Sequence, residues 1–249
     1  MAATVRPPED LQQAPPTVSL VDADPDLTAG IPEGDLELAR RVLTRPRYDI
    51  PTGGWSPELL RGHDRGAFAI LVIEGAIVRQ LDVAERHSTQ ILGPGDVLQP
   101  PGTDGLLECP VTWTAVLPSA VVVLDERFTR AGQRWPSLNV HLQRRLLDQA
   151  DRTALHAAIS QLPRVDRRIL ALFWQLAERW GRVTPFGVEL PLALTHESVG
   201  RLVGAQRPTV TLALRELADE GAVTRVTPGS WLLNARSRDT LRPVASRAG

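Results

Sequence analysis

The clearest hydrophobic pattern in this chain lies in residues 195–221, where two short apolar stripes with helical spacing follow each other closely. The apolar positions are Val199, Leu202 and Val203 in the first stripe and Val210, Leu214 and Leu217 in the second. Thr195 has the side chain of a helix N-cap, Gly204 suits a helix end, and Pro208 is tolerated in a first helical turn. The pattern predicts two helices joined by a tight turn.

A β-hairpin is predicted directly after the second helix. Residues 221–234 contain two short runs of β-favouring residues on either side of a Pro-Gly-Ser turn. Two helices followed by a hairpin are typical of a winged helix, whose second helix enters the DNA major groove by its N-terminal residues. The alternative interpretation of the helical pair alone is an ordinary helical hairpin inside a protein core.

The region from Trp55 to Leu124 has a different pattern, with short apolar runs separated by glycine and proline. Residues 67–73 and 76–83 are predicted strands on either side of Glu74-Gly75, and Gly93-Pro-Gly-Asp96 is a further turn. Many short strands with such punctuation predict a sandwich or jelly roll.

A long helix is predicted over about residues 136–161. Its apolar positions at three- and four-residue spacing suggest a two-fold dimer seam, because small residues allow close approach of a partner helix. The predicted dimer residues are Leu138, Leu142, Leu146, Ala150, Ala154 and Ala157. The alternative is that this stripe packs against the β domain of its own chain.

The predicted organisation therefore has five parts. Residues 1–33 contain six prolines and no apolar periodicity, which predicts a mobile tail. The β domain occupies residues 34–131, the dimerisation helix 132–162 and the winged helix 163–234. Residues 235–249 are predicted to form a flexible, basic tail.

Charge and cysteine content narrow the class of function. All 28 basic residues are arginine, and residues 160–249 carry 13 of them against 8 acidic residues, whereas residues 1–124 carry 9 against 17. A basic C-terminal region suits contact with DNA phosphates. The single cysteine, Cys109, excludes an intrachain disulfide, a four-cysteine iron–sulfur site and a zinc finger. Without an apolar run of about 18 residues or a signal peptide, we expect a cytoplasmic protein with no membrane partner.

The segment Leu194-Thr-His-Glu-Ser-Val-Gly-Arg-Leu-Val-Gly-Ala-Gln-Arg-Pro-Thr-Val210 resembles the helix-turn-helix of the Crp/Fnr transcription regulators. The residues that agree with the pattern of that family are Thr195, Val199, Gly200, Gly204, Arg207, Thr209 and Val210. The resemblance extends over about residues 34–234 and implies an α+β fold. It consists of an N-terminal β-roll like a cyclic-nucleotide-binding domain, a long dimerisation helix and a C-terminal winged helix-turn-helix.

Periodicity and this resemblance together predict the DNA-contacting residues. They are Thr195, Gln206, Arg207, Pro208, Thr209, Thr211, Leu212, Arg215 and Arg225. By resemblance Arg207 contacts a base, and its guanidinium suits O6 and N7 of guanine. Pro208 and Leu212 depart from the pattern, since better-known members have a glutamate and often an arginine there. The DNA site therefore cannot be copied from those members.

The resemblance also implies an effector at the β-roll, but its identity is not evident. The sequence has no arginine or lysine between Arg86 and Arg127, and a buried cyclic phosphate without a cation is strongly disfavoured. We therefore expect no cyclic AMP binding in the usual manner, and no cofactor or metal is identified. The predicted partners are double-stranded DNA, a second copy of the chain and an unidentified small molecule, with RNA polymerase as a further candidate.

Two alternatives to an effector-controlled regulator remain. The β domain could be a scaffold only, which would make the protein an effector-independent regulator. A cupin-like metal enzyme is disfavoured, because the predicted strands lack the clustered histidine and carboxylate ligands, including a His-x-His motif, that such a site needs. The sequence predicts a regulator and not an enzyme.

Overall fold

The structure, a computed structural model, describes residues 15–60, 66–84, 86–99 and 109–241. The chain forms two compact units, residues 1–82 with 90–151 and residues 83–89 with 152–249. The division falls at residue 151, inside a long helix, and not after residue 162 where the sequence analysis placed it. Among the described residues, no helix is long and apolar enough to cross a membrane.

Seven strands between residues 17 and 124 form one sheet, which confirms the predicted β domain. Its strands are β1 Thr17–Ser19, β2 Thr44–Ile50, β3 Gly53–Trp55, β4 Ala69–Val83, β5 Arg86–Leu92, β6 Val97–Leu98 and β7 Val111–Leu124. The strand order is β1-β2-β7-β4-β5, with β3 also paired to β7 and β6 to β4. Alternate residues of β7 enter two separate apolar clusters, Val122 in one and Val121 in the other, because successive side chains of a strand point to opposite faces.

The helices and the C-terminal strands follow the predicted order. The helices are α1 Leu20–Ala23, α2 Pro25–Thr28, α3 Leu36–Val42, α4 Glu126–Arg134, α5 Ser137–Ser160, α6 Val165–Trp180, α7 His196–Val203 and α8 Arg207–Asp219, with short 3-10 helices at Glu33–Asp35, Pro57–Leu60 and Ala235–Leu241. The remaining strands are β8 Arg182–Thr184, β9 Gly187–Leu190, β10 Val223–Thr227 and β11 Ser230–Leu233, in the order β10-β11-β9-β8. The α+β architecture with a C-terminal helix-turn-helix is therefore confirmed.

The predicted N-terminal tail is wrong for residues 17–33. Strand β1 pairs with β2, and Leu20 and Leu27 are completely buried in the core of the N-terminal unit. Helices α1 and α2 have four residues each and are capped by Ser19 and Asp24. Elements this short have no detectable periodicity, so the prolines around them dominated the sequence prediction. Residues 1–14 lie outside the described residues.

The predicted C-terminal tail also begins later than expected. Residues Ala235–Leu241 form a 3-10 helix, and the hydroxyl of Ser237 accepts a hydrogen bond of 3.2 Å from the indole N–H of Trp174 in α6. Residues 242–249 lie outside the described residues, so the remainder of that prediction stays open.

One face of α5 packs against its own unit, which corrects part of the predicted dimer seam. Leu138 and Leu142 are 0% and 9% exposed and belong to the same core cluster as Phe128. One turn later, the Arg145 guanidinium makes two hydrogen bonds to the carboxylate of Asp24. Leu138 and Leu142 are therefore core residues and do not form a dimer seam.

A second face of α5 is exposed over its whole length. We call it the outer seam, and it consists of Val140, Gln143, Leu147, Ala150, Ala154 and Ala157. These positions repeat with alternating spacings of three and four residues, which is the a/d pattern of a coiled coil. Val140 and Leu147 are 60% and 68% exposed. Leu146, predicted for the seam, is 46% exposed and lies beside it.

The packing of the N-terminal segment predicts a measurable contribution to stability. Replacing Leu20 by alanine should lower the free energy of unfolding by about 2–5 kcal/mol, because a fully buried side chain is truncated. Urea denaturation monitored by tryptophan fluorescence measures the change. Thr17→Ala, an exposed position in the same segment, is the matched control and should change it by less than about 0.5 kcal/mol. Equal effects of the two substitutions would show that the segment is not part of the core.

Candidate nucleic-acid interface

Helix α6 supplies the scaffold on which the helix-turn-helix rests. Its buried side chains are Asp166, Ile169, Leu170, Leu172, Phe173, Leu176 and Ala177. Arg168 of this helix donates a 3.2 Å hydrogen bond to the carbonyl of Val203, the last residue of α7. A guanidinium at this point satisfies a carbonyl that has no partner within the helix and suits the negative helix end. The turn after α7 is thereby tied to α6.

Two glycines make the tight turn between α7 and α8 possible. Gly204 has φ +63° and ψ 43°, the left-handed conformation that glycine adopts without strain. At Gly200, a Cβ atom would stand 2.5 Å from the carbonyl oxygen of Ala205, so a larger residue would push the helices apart. Thr195 caps α7 by accepting a 3.0 Å hydrogen bond from the backbone N–H of Ser198. These contacts explain why the motif needs these residue types at this spacing.

Helix α8 separates a buried stripe from an exposed polar face. Val210, Ala213, Leu214 and Leu217 are buried, as the periodicity predicted. All nine predicted DNA-contacting side chains are exposed, including Leu212 at 59%. Gln206 and Arg207 stand at the N-terminal end of the helix, and Pro208 occupies its first turn. The end of α8 that would enter a groove thus presents one guanidinium beside apolar and small polar groups.

The wing holds Arg225 in a defined position. The guanidinium carbon lies 5.2 Å from the ring centroid of Trp231 on the neighbouring strand β11, a cation–π contact. The same guanidinium donates a 2.9 Å hydrogen bond to the carbonyl of Pro228 in the turn between β10 and β11. An arginine held in this way loses less side-chain freedom when it binds an anion.

His196, which the sequence analysis did not select, lies among the predicted contacts. Its Nδ1 is 2.9 Å from the hydroxyl oxygen of Thr211, and that hydroxyl donates a 3.0 Å hydrogen bond to the carbonyl of Arg207. Since the hydroxyl proton is used there, the ring nitrogen must donate to Thr211. His196 therefore connects the start of α7 to the exposed face of α8. Its position directly after the N-cap was the signal available in the sequence.

Two arginine charges lie close enough to His196 to affect its pKa. Burial lowers the pKa of His196 below its ordinary value of 6.5, and the charges of Arg225 and Arg207 lower it further. Two arginines from separate elements, the wing and α8, therefore act on one point of the surface. Such a convergence of positive charge is suited to binding phosphate groups.

Other kinds of site are not evident in the part of the chain that the structure describes. Within those residues, no group of three or more histidine, cysteine, aspartate or glutamate side chains could hold a metal ion. Cys109 is a half-buried free thiol.

Comparison with known proteins agrees with this geometry. Residues 167–242 match the family described as Crp-like helix-turn-helix domain. The C-terminal unit therefore contains a Crp-like helix-turn-helix domain. No curated protein sequence matches the chain.

Several solved structures share the fold of most of the chain. A CooA mutant from Carboxydothermus hydrogenoformans is 18% identical, with a TM-score of 0.62 and 90% of this chain and 96% of that chain covered. A cyclic nucleotide-binding domain containing protein from Listeria monocytogenes is 16% identical, with a TM-score of 0.61 and coverage of 79% and 90%. A transcriptional regulator of the CRP family from Thermus thermophilus is 19% identical, with a TM-score of 0.56 and coverage of 78% and 95%. These likenesses establish the fold.

The environment of His196 predicts that binding of DNA is linked to a proton. Phosphates beside the ring would favour its charged form and raise the lowered pKa, so binding should take up a proton. Affinity should therefore increase as the pH falls from about 7.5 to about 5.5, on either side of the ordinary histidine pKa. Fluorescence anisotropy with a labelled double-stranded oligonucleotide at low ionic strength measures the dependence.

His196→Asn is the matched variant, because the asparagine amide can still donate to Thr211 but cannot titrate. Its pH dependence should be flatter than that of the wild-type protein. Parallel pH profiles for the two proteins would exclude a phosphate near His196.

Proposed function

We propose that this chain, which carries a Crp-like helix-turn-helix domain, is a sequence-specific DNA-binding transcription regulator that acts as a homodimer. The observation that carries the proposal is the exposed N-terminal half of α8, flanked by the wing arginine Arg225 and by His196. An exposed helix of this kind on a winged-helix scaffold has the shape and charge needed to enter a major groove. No catalytic role is proposed for the chain.

Arg207 is the proposed base-contacting residue. It is exposed in the first turn of α8, and arginine can donate two hydrogen bonds to O6 and N7 of a guanine. Thr195, Gln206 and Thr209 lie close to it in the motif and would bond phosphates, fixing the orientation of the helix without recognising sequence. Arg215 and Arg225 would add phosphate contacts.

Removing a base contact and removing a phosphate contact should change DNA binding in different ways. Arg207→Ala should weaken binding to the preferred site by about 1–3 kcal/mol and flatten the preference at the contacted base pair. Arg215→Ala, an exposed arginine two turns further along the same helix, should weaken binding evenly across sequences and reduce the salt dependence. Selection of bound fragments from a random-sequence library, followed by salt titrations, measures both. An unchanged base preference in Arg207→Ala would remove it from the base-contacting role.

The outer seam of α5 is the proposed dimer interface. It carries two large exposed side chains, Val140 and Leu147, followed by three exposed alanines that allow a second helix to approach closely. Ala150, Ala154 and Ala157 keep the role that the sequence analysis gave them. The same symmetry would present two α8 helices to a palindromic site whose half-sites lie about one helical turn, 34–36 Å, apart.

Introducing a negative charge at different positions of α5 tests this interface. Leu147→Asp should convert the dimer to a monomer, because a carboxylate at the seam centre would be buried without a partner. Leu155→Asp is the matched control, since Leu155 is also exposed, at 47%, but lies off the seam. Sedimentation equilibrium at micromolar concentration measures the state of both variants. If both remain dimers, or both become monomers, the seam is not the specific interface.

The β domain is the proposed site of control by a small molecule. The prediction that cyclic AMP is not bound in the usual manner concerns residues 99–114, of which 100–108 lie outside the described residues. It stays a prediction. Effector-independent regulation is the alternative, and RNA polymerase remains a candidate partner for either mode.

A further inference from the structure

Three side chains that have no part in the proposed DNA interface meet on one face of the N-terminal sheet. Trp113 of β7 pairs with Trp55 of β3 on one side and with Arg79 of β4 on the other. The indole centroids are 6.0 Å apart at an interplanar angle of 78°, and the Arg79 guanidinium carbon lies 5.6 Å from the Trp113 centroid. Directly paired residues point to the same side of a sheet, so these three form one continuous group.

This group lies at the edge of an apolar core and not on the open surface. Both tryptophans are half-buried and pack against the cluster that contains Ile77 and Ala115. Ile77 is two residues before Arg79 on β4, so the two side chains share the face that points into the cluster. Arg79 therefore extends along the inner face of the sheet.

The guanidinium of Arg79 has no anionic neighbour in the part of the chain that the structure describes. Its Nε is buried and has no hydrogen-bond partner among those residues. Burial lowers the pKa of Arg79, and no carboxylate opposes that effect. Two other arginines of the unit have a carboxylate partner, since Arg47 pairs with Glu74 and Arg145 with Asp24. A half-buried cation without a counter-ion is unfavourable, and the indole contact offsets only part of that cost.

Strand β3 leaves space beside the indoles. Gly53 precedes Trp55 by two residues and pairs with Ala115. Among the described residues, no atom lies within 4 Å of the position that a Cβ on Gly53 would take. Gly53 is exposed, so the space on this side of β3, two residues from Trp55, is open to solvent and accessible to a ligand.

We propose that Trp55, Arg79 and Trp113 form a binding site for a small aromatic monocarboxylate that serves as the effector. A carboxylate can accept two parallel hydrogen bonds from a guanidinium, and the indoles offer faces and edges for an aromatic ring. One cation among apolar neighbours balances one negative charge, so a phosphate dianion fits less well. The role as effector rests on the proposed function, whereas the binding site does not.

Binding to the full-length protein without DNA tests the site. Benzoate is the probe, titrated by calorimetry and by quenching of tryptophan fluorescence, with benzamide and phenyl phosphate as neutral and doubly charged comparisons. We expect saturable benzoate binding that is at least about tenfold tighter than binding of either comparison, because a charged hydrogen bond contributes strongly. Arg79→Gln and Trp113→Leu should each weaken benzoate binding by about tenfold or more.

Arg134→Gln is the matched control. Arg134 also lies over an indole, 5.3 Å from the Trp135 centroid, but it is exposed and faces Asp35. This variant should bind benzoate as the wild type does. The site is excluded if wild-type protein does not bind benzoate, if Arg79→Gln binds it equally well, or if phenyl phosphate binds more tightly.

Thermal unfolding separates a ligand site from a structural contact. If Arg79 is kept for a ligand, Arg79→Gln should unfold at the same temperature as the wild type or a higher one, since it removes a buried unmatched charge. A lowered unfolding temperature together with unchanged benzoate binding would assign Arg79 a structural role and overturn the proposal.

DNA binding is measured separately, by anisotropy with and without benzoate. DNA binding without any carboxylate binding would reject the site and leave the proposed function intact. If the protein binds the carboxylate but does not bind DNA, the binding site is supported and the proposed function is rejected.

Discussion

Helix α5 has two apolar faces. One packs in the core of its own chain, and the proposed dimer depends on the other remaining exposed in the single chain. Leu138 and Leu142 are held in the core of their own unit, and the Arg145–Asp24 pair fixes the rotation of the helix about its axis. Because the helix is held in this rotation, the outer seam faces solvent in a single chain. Burial of an apolar stripe by a second copy is then favourable, because each large aliphatic side chain removed from water contributes about 1.5–3 kcal/mol.

The same helix is hydrogen-bonded to strand β6 of the sheet. The side-chain amide of Gln149 accepts a 3.0 Å hydrogen bond from the N–H of Val97 and donates one of 3.1 Å to its carbonyl. Val97 belongs to β6, which pairs with β4, the strand that carries Arg79. Strand β4 thus carries Arg79 and, eight residues earlier, Leu71, whose partner Val97 is hydrogen-bonded to α5. Such a connection becomes regulation when two arrangements of α5 exist and the ligand prefers one.

Most of the fold could be predicted from the sequence, because long elements leave a periodic signal and short ones do not. The α7–α8 pair was found since caps, glycines and an apolar stripe coincide within 27 residues. Helices α1 and α2 were not predicted, because four residues form little more than one helical turn. Serine and aspartate, which cap them at Ser19 and Asp24, are also common in loops and therefore do not indicate a helix by themselves. Which face of α5 packs into the core could not be predicted, because both its inward and its outward face are apolar. Only the contacts of Leu138 and Leu142 decide which stripe is internal.

The candidate site was predicted less completely than the fold. Exposure of the selected α8 residues follows from periodicity. For His196 the sequence offers only its position after the N-cap, whereas its contact with Thr211 joins two elements. The group around Arg79 could not be found either, because its members are separated by 24 and 34 positions along the chain and are joined by strand pairing alone. Contacts of this kind are set by register, which a single sequence does not specify.

The composition of α8 gives a physical reason why one copy of this chain would not be a selective regulator. Many regulators present several polar base contacts. With Gln206 assigned to phosphate, Pro208 and Leu212 leave Arg207 as the one proposed bidentate base contact at the start of the helix. One such contact discriminates by about 1–3 kcal/mol, whereas specific sites are typically preferred over other DNA by about 4–10 kcal/mol. Two copies double the discrimination to about 2–6 kcal/mol, which reaches the lower part of that range. On the proposed assignment, the few polar groups of α8 would make pairing through α5 necessary for sequence-specific binding. Contact with thymine methyl groups or DNA shape would supply the remainder.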